Sequence, residues 1–141
     1  MGRYKKQIIR EQTGSTIKEK PIWRFDKVDR DGKFAFDLSR PDFAHREVLQ
    51  KLMEYGNMTW DDIRKQQHDY SRKTKHHYLS VETLSREALD RIRAKYFDEE
   101  TDAIYSFAFQ NLLRIIGFRH GAEFHIVWYD PNHEFCPSSK K

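Results

Sequence analysis

The stretch that most constrains the fold is "AIYSFAFQNLLRIIGFRHGAEFHIVWYD", residues 103 to 130. Three apolar segments rich in β-branched and aromatic residues follow one another, broken only at Gln110-Asn111 and at Gly121-Ala122. Each break is too short for a crossover helix, so the three strands must form an antiparallel meander. A two-residue turn at Gly121-Ala122 predicts Phe118 opposite His125, Ile116 opposite Val127 and Arg114 opposite Tyr129, with His120 and Glu123 at the tip. A turn at Gln110-Asn111 sets Phe107 against Arg114. Strand side chains alternate between faces, so Arg114, His125 and Tyr129 are expected on one mixed face. Leu113, Ile115, Phe124, Ile126, Trp128 and Arg119 take the other, which is the better core face, and Gly117 leaves room there.

The rest of the chain supplies the layer that covers this sheet. "PIWRFDKVDRDGKFAFDLS" predicts a hairpin turning at Asp31-Gly32, with Trp23, Phe25, Phe34, Phe36 and Leu38 on one face. Asp26, Asp29 and Asp31 in the same stretch hint at a calcium loop, but the strand pattern of Phe34 and Phe36 and the missing terminal Glu argue against it. A helix is expected to open near Pro41 and stop at Gly56, with Ala44, Val48, Leu52 and Tyr55 inward and Leu49 and Met53 beside them. Thr59 and Asp62 form a capping-box pattern for a second, short helix. Ser85 caps a third, which turns Ala88, Leu89, Ile92 and Tyr96 inward and stops near Phe97. Two strands, three helices and three strands predict an α+β domain, its mainly antiparallel sheet made of the N-terminal hairpin and the C-terminal meander. The expected domain is 21–136, preceded by a flexible basic tail, 1–20, and followed by a flexible end, 137–141.

Charge narrows the partners. The net charge is +4, and the first twenty residues carry an equal excess, six basic residues against two acidic. A second basic run, "RKQQHDYSRKTKHH", offers Arg64, Lys65, Arg72, Lys73 and Lys75 with three histidines. Such patches attract phosphate polymers by releasing counterions. The single cysteine, Cys136, permits no intrachain disulfide and no cysteine-rich zinc site, and reads as a free thiol. No apolar run approaches about 18 residues, so no membrane span is expected. With no apolar signal core at the start, the expected setting is cytoplasmic.

Cutting RNA without a metal needs a base for the 2′-hydroxyl proton, an acid for the leaving oxygen and a cation for the developing charge. His125 and His133 supply imidazoles, Arg114 a guanidinium and Tyr129 a phenol that also stacks on bases. Arg119 and His120 add cationic character near the tip. These residues have a plainer reading as well. Arg114 and Tyr129 make an ordinary cross-strand pair on a solvated face, His120 belongs at a polar turn, and His133 follows simple Pro131-Asn132 turn chemistry. A metal shared by Asp130, His133 and a tip histidine is the third use of the same residues, but no compact ligand motif occurs, and neither metal nor cofactor is expected.

Helices followed by "IYSFAFQNLLRIIGFRHGAEFHIVWYD" resemble the RelE/ParE toxin superfamily over residues 84 to 135. Members of that family are small basic proteins of bacterial toxin–antitoxin pairs, and many cut messenger RNA on the ribosome without a metal. The resemblance implies Arg114 as the phosphate-binding arginine, Arg119 as a second cation, His125 or His133 in acid–base work and Tyr129 assisting. It implies RNA or the ribosome and an acidic antitoxin as partners, in a bacterial or phage-related system. The chain departs from the family in its N-terminal tail and aromatic hairpin and in its end, "DPNHEFCPSSKK". A passive nucleic-acid binder and a non-catalytic protein-interaction module are the other two expectations.

Overall fold

The computed structural model describes residues 16–68, 73–96 and 101–137. Among these, strands β1 (Ile22–Arg24), β2 (His77–Tyr78), β3 (Ile104–Ala108), β4 (Arg114–His120) and β5 (Glu123–Asp130) make one sheet in the order β1-β5-β4-β3-β2. Helices α1 (His45–Gly56), α2 (Trp60–Arg64) and α3 (Arg86–Lys95) complete an α+β domain. β1 runs parallel to β5 and the other pairs are antiparallel. No helix among the described residues is long and apolar enough to cross a membrane.

The closing meander forms, but both of its predicted registers move by one residue. Gln110, Asn111 and Leu112 make a three-residue connection closed by Phe109 N–H donating to Leu113 O at 2.9 Å, with Asn111 left-handed at φ 54°. Phe107 therefore faces Ile115, and Arg114 faces Ala108. In the next pair the expected register holds from His120↔Glu123 to Gly117↔Ile126, then slips at a bulge, so that Ile116 meets Trp128 and Arg114 meets Asp130. Gly117 explains the position of the bulge: a Cβ there would lie 1.9 Å from the carbonyl oxygen of His125. Only a residue without a side chain allows that approach. Beyond the bulge, Val127 and Trp128 both belong to the core under α3, and Tyr129 is sent to the opposite face.

The N-terminal hairpin does not form. Gly32 does turn, with φ +86°, but the chain around it pairs with β5 instead of with itself. Asp29 N–H donates to Val127 O at 3.0 Å, Tyr129 N–H donates to Phe34 O at 2.8 Å, and Ala35 bridges to Trp128. The edge of β5 past β1 carries backbone groups that need partners, and this segment supplies them. Asp29 fixes the arrangement. It is fully buried and accepts from Arg91 Nε and Nη2 at 3.0 and 2.9 Å, from Trp128 Nε1 at 3.0 Å and from Asp31 N–H at 3.1 Å. Phe25 and Leu38, expected on the aromatic face of that hairpin, are both exposed.

Both faces of the sheet are covered, which a one-sided meander does not predict. α1 and α2 pack Val48, Tyr55, Trp60 and Ile63 on Tyr105, Phe107, Ile115, Phe124 and Ile126. α3 packs Ala88 and Ile92 on Ile104, Ile116, Phe118 and Trp128. α1 opens at His45, not at Pro41, because Arg40 and Asp42 pair in a tight turn before it. The Tyr129 hydroxyl accepts from the N–H of Ala44, the N-cap, at 2.9 Å, the bond that the N3 side chain of a capping box would make. Leu49 and Met53 face outward. The Thr59–Asp62 capping box and the Ser85 cap form as their sequences predict.

Candidate nucleic-acid interface

α3 covers the centre of its face of the sheet and leaves one end open. There lies a cleft of about 1000 Å³. Its floor is set by strand register. Ser106 on β3 stands between His77 on β2 and Ile116 on β4, and Arg114 opens β4 opposite Asp130, which ends β5. One wall is the basic connection folded back on itself. Gln67 bridges Thr74, His68 N–H donates to Lys73 O, and Lys75 N–H donates to Gln66 O. That wall brings His68, Lys73 and Lys75 to the cleft. Asn111 and Leu112, at the β3–β4 connection, also line it.

His76 and His77 are adjacent and point apart, as residues of a strand must. His76 is buried. Ala108 N–H donates to its Nδ1 at 3.1 Å, and its Nε2 meets Gln66 Oε1 at 2.8 Å. An acceptor role for Nδ1 places the proton on Nε2, so the ring is neutral. Burial, followed by the nearby charge of Lys75, pushes its pKa down to about 3. This ring ties the wall to β3, and its neighbour His77 opens onto the cleft.

Asp130 shapes the far end. Its two oxygens accept from Glu134 N–H and Phe135 N–H, each at 2.9 Å, closing a turn in which His133 adopts a left-handed φ of 56°. Burial raises the Asp130 pKa, against the pull of those two amides. The Arg114 guanidinium is 7% exposed and is oriented by Nη1 donating to Asn111 O at 2.8 Å and Leu113 O at 3.1 Å. Burial lowers the pKa of His133, and Arg114, His77 and His68 lower it further. His77 is lowered by burial, Arg114 and His68, while a backbone bond at Thr74 opposes the shift. Asp130 is the one carboxylate among the described residues that line this cleft. The result is a cationic cleft in which burial and the Arg114 guanidinium both disfavour charging of His77 and His133.

The expected site residues therefore divide. Arg114, His133, Lys73 and Lys75 come together. Tyr129 does not join them. It is 1% exposed on the other face, stacked on Phe43 with ring centroids 4.4 Å apart, and its hydroxyl donates to Asp42 O. The one-residue slip at the bulge moved it there. Arg119, expected as a second cation for RNA, is 3% exposed, its guanidinium 3.6 Å from the Trp60 ring centroid and close to Tyr105. Its charge is spent on aromatic faces inside the core. His125 shares Arg114's face but sits at the opposite end of the strand. Its Nδ1 meets Asp26 Oδ1 at 2.7 Å and its Nε2 meets Glu123 Oε1 at 3.4 Å, with the His120 ring beside it. Both ring nitrogens thus face carboxylates. Arg64 and Lys65 lie on and just past α2, where they pair with Asp61 at 2.8 and 3.0 Å. Arg72 lies outside the described residues.

Sequence reasoning overlooked His68, His77 and Ser106 as cleft residues. The signal for His77 was the adjacent pair itself, since one of two neighbouring strand histidines must face away from the core. Among the described residues no group of three or more His, Cys, Asp or Glu side chains is placed to hold a metal ion. No family model, curated protein or solved structure matches this chain.

Proposed function

We propose that the protein binds RNA in this cleft and cuts it without a metal, as a toxin-like endoribonuclease. The observation that carries the reading is the convergence of Arg114, Lys73, Lys75, His68, His77 and His133 on one concave surface where the one carboxylate among the described residues, Asp130, is occupied by backbone N–H groups. Concave cationic ground of this kind favours a phosphate polymer. The exposed Leu112 and half-buried Tyr78 on the same cleft offer apolar surface to bases.

The chemistry needs one imidazole neutral and the other protonated when the phosphodiester is bound. One of His77 and His133 takes the proton from a ribose 2′-hydroxyl, and the 2′-oxygen attacks the adjacent phosphorus. The bond from phosphorus to the 5′-oxygen breaks, and the second imidazole, entering protonated, gives that oxygen its proton. Arg114 carries the charge that builds on the phosphoryl oxygens. The products are a 2′,3′-cyclic phosphate and a 5′-hydroxyl end. An acidic antitoxin-like protein is the inhibitor that suits this cleft by charge.

The test is cleavage of a labelled single-stranded RNA in excess chelator. His133→Asn keeps a residue type that tolerates the left-handed backbone and removes the imidazole. Cleavage by this variant should fall about 100-fold or more, the ordinary worth of an acid–base group, with RNA affinity at pH 8 retained. Binding that falls with salt but brings no cleavage by the wild-type protein would reduce the reading to a passive RNA binder. Absence of both would point to a protein-interaction module.

A further inference from the structure

The cleft holds more imidazoles than a permanent grip on phosphate requires. Arg114, Lys73 and Lys75 carry fixed charge, whereas His68, His77 and His133 bring to the same cleft the side chain whose ordinary charge change lies near neutral pH. The three rings arrive from separate parts of the chain: the folded-back wall, β2, and the turn after β5. Among the described residues, the remaining titratable groups on the cleft are Asp130, which accepts two backbone N–H groups, Tyr78 on β2, and Cys136, whose Sγ lies 3.2 Å from Thr83 Oγ1. His77 and His133 are each held down by burial first, and then by Arg114 and His68, which act on both rings. A phosphate seated among these groups reverses the local field and makes the imidazolium forms favourable.

We propose that anion binding in the cleft is linked to proton uptake by His77 and His133, so that affinity rises as the pH falls through the neutral range. This inference rests on the cleft being the RNA site. The sign is fixed by the cycle. Binding raises the proton affinity of both rings, so protonation raises the affinity for phosphate by the same factor. The gain is absent above the bound-state pKa values and complete below the free-state ones. Within that window each ring contributes up to about tenfold in affinity per pH unit.

The experiment measures the affinity of the full chain for a fluorescein-labelled single-stranded RNA of about 12 nucleotides, a length suited to one such site, at constant ionic strength from about pH 8 to about pH 5.5. Calorimetry near pH 6.5 in two buffers of different ionisation enthalpy counts the protons taken up. Affinity should rise at least about tenfold on acidification, with net proton uptake, and both effects should largely vanish in His77→Asn/His133→Asn. His45→Asn, a substitution on an exposed helix start far along the chain, should behave as wild type. Thermal melts confirm that each variant is folded. Binding that is tight but flat with pH, or a rise that persists in the double variant, overturns the linkage and leaves the RNA site standing. No salt-dependent binding at any pH overturns the RNA site and the linkage together.

Discussion

A methyl group at Gly117 would sit 1.9 Å from the carbonyl oxygen of His125, and the next nearest atoms are also backbone. No rotamer change relieves that clash, so Gly117→Ala must push β4 and β5 apart at the bulge. We expect a loss of about 3 kcal/mol or more, in the upper tail of single substitutions, read as a fall in the urea midpoint. A midpoint within error of wild type would mean that the bulge does not depend on glycine. His76 makes a second prediction, on pH. Its folded-state pKa, about 3, lies far below the ordinary value of 6.5, because burial opposes the charged ring. The unfolded chain therefore binds a proton that the folded chain refuses. This contribution is fully present above pH 6.5 and is lost as the pH falls toward 3, at about 1.4 kcal/mol per pH unit. The stability gap between wild type and His76→Gln should narrow at that rate on acidification, as measured by denaturant titrations at successive pH values. A gap that stays constant would mean that His76 titrates normally.

At the scale of elements, the segment before α1 owes its shape to one carboxylate. Burial alone would raise the pKa of Asp29, but the Arg91 fork, the Asp31 amide and the Trp128 indole together hold it below the usual carboxylate range. Asp29→Ala leaves Arg91 and Trp128 facing a void and should cost about 3 to 5 kcal/mol, as breaking a buried pair does, with the largest rise in hydrogen exchange over residues 29–36. Protection left unchanged there would show that the pairing with β5 holds this segment unaided. This element also shows what a sequence conceals. The "DG" signal did mark a turn, yet whether the flanking strands pair with each other or with β5 depends on Asp29 meeting Arg91, 62 residues away. The caps at Thr59 and Ser85 were legible because donor and acceptor lie three residues apart. The meander was legible for the same reason, its turns being local. Its register was not. One residue added at Asn111 and one bulge beside Gly117 decide which face each side chain takes. So Arg114 and His133 reach one cleft while the slip carries Tyr129 into the opposite core; Arg119 keeps the core face that alternation gave it, and its guanidinium lies on Trp60 instead of facing outward.

At the scale of the whole molecule, a sheet buried on both faces leaves little room for a site except where a helix stops short, and the cleft lies beyond α3 for that reason. The basic connection then matters as architecture. Folded back on itself, it brings Lys73 and Lys75 to the same opening as Arg114, whereas Arg64 and Lys65 pair with Asp61 elsewhere. Position in the fold, and not membership of a basic run, sorts these cations into phosphate contacts and surface pairs. The salt dependence of RNA binding measures that sorting. Each phosphate contact removed should lower the slope of log affinity against log salt by about 0.7 for a single strand. Lys73→Gln/Lys75→Gln should therefore flatten the slope by about 1.4 if both side chains meet phosphates. Arg64→Gln/Lys65→Gln should leave it unchanged, since those side chains do not line the cleft. The reverse pattern would move the RNA path off the cleft and onto the face of α2, away from Arg114 and His133, where Arg119 and Trp60 lie sealed beneath the surface.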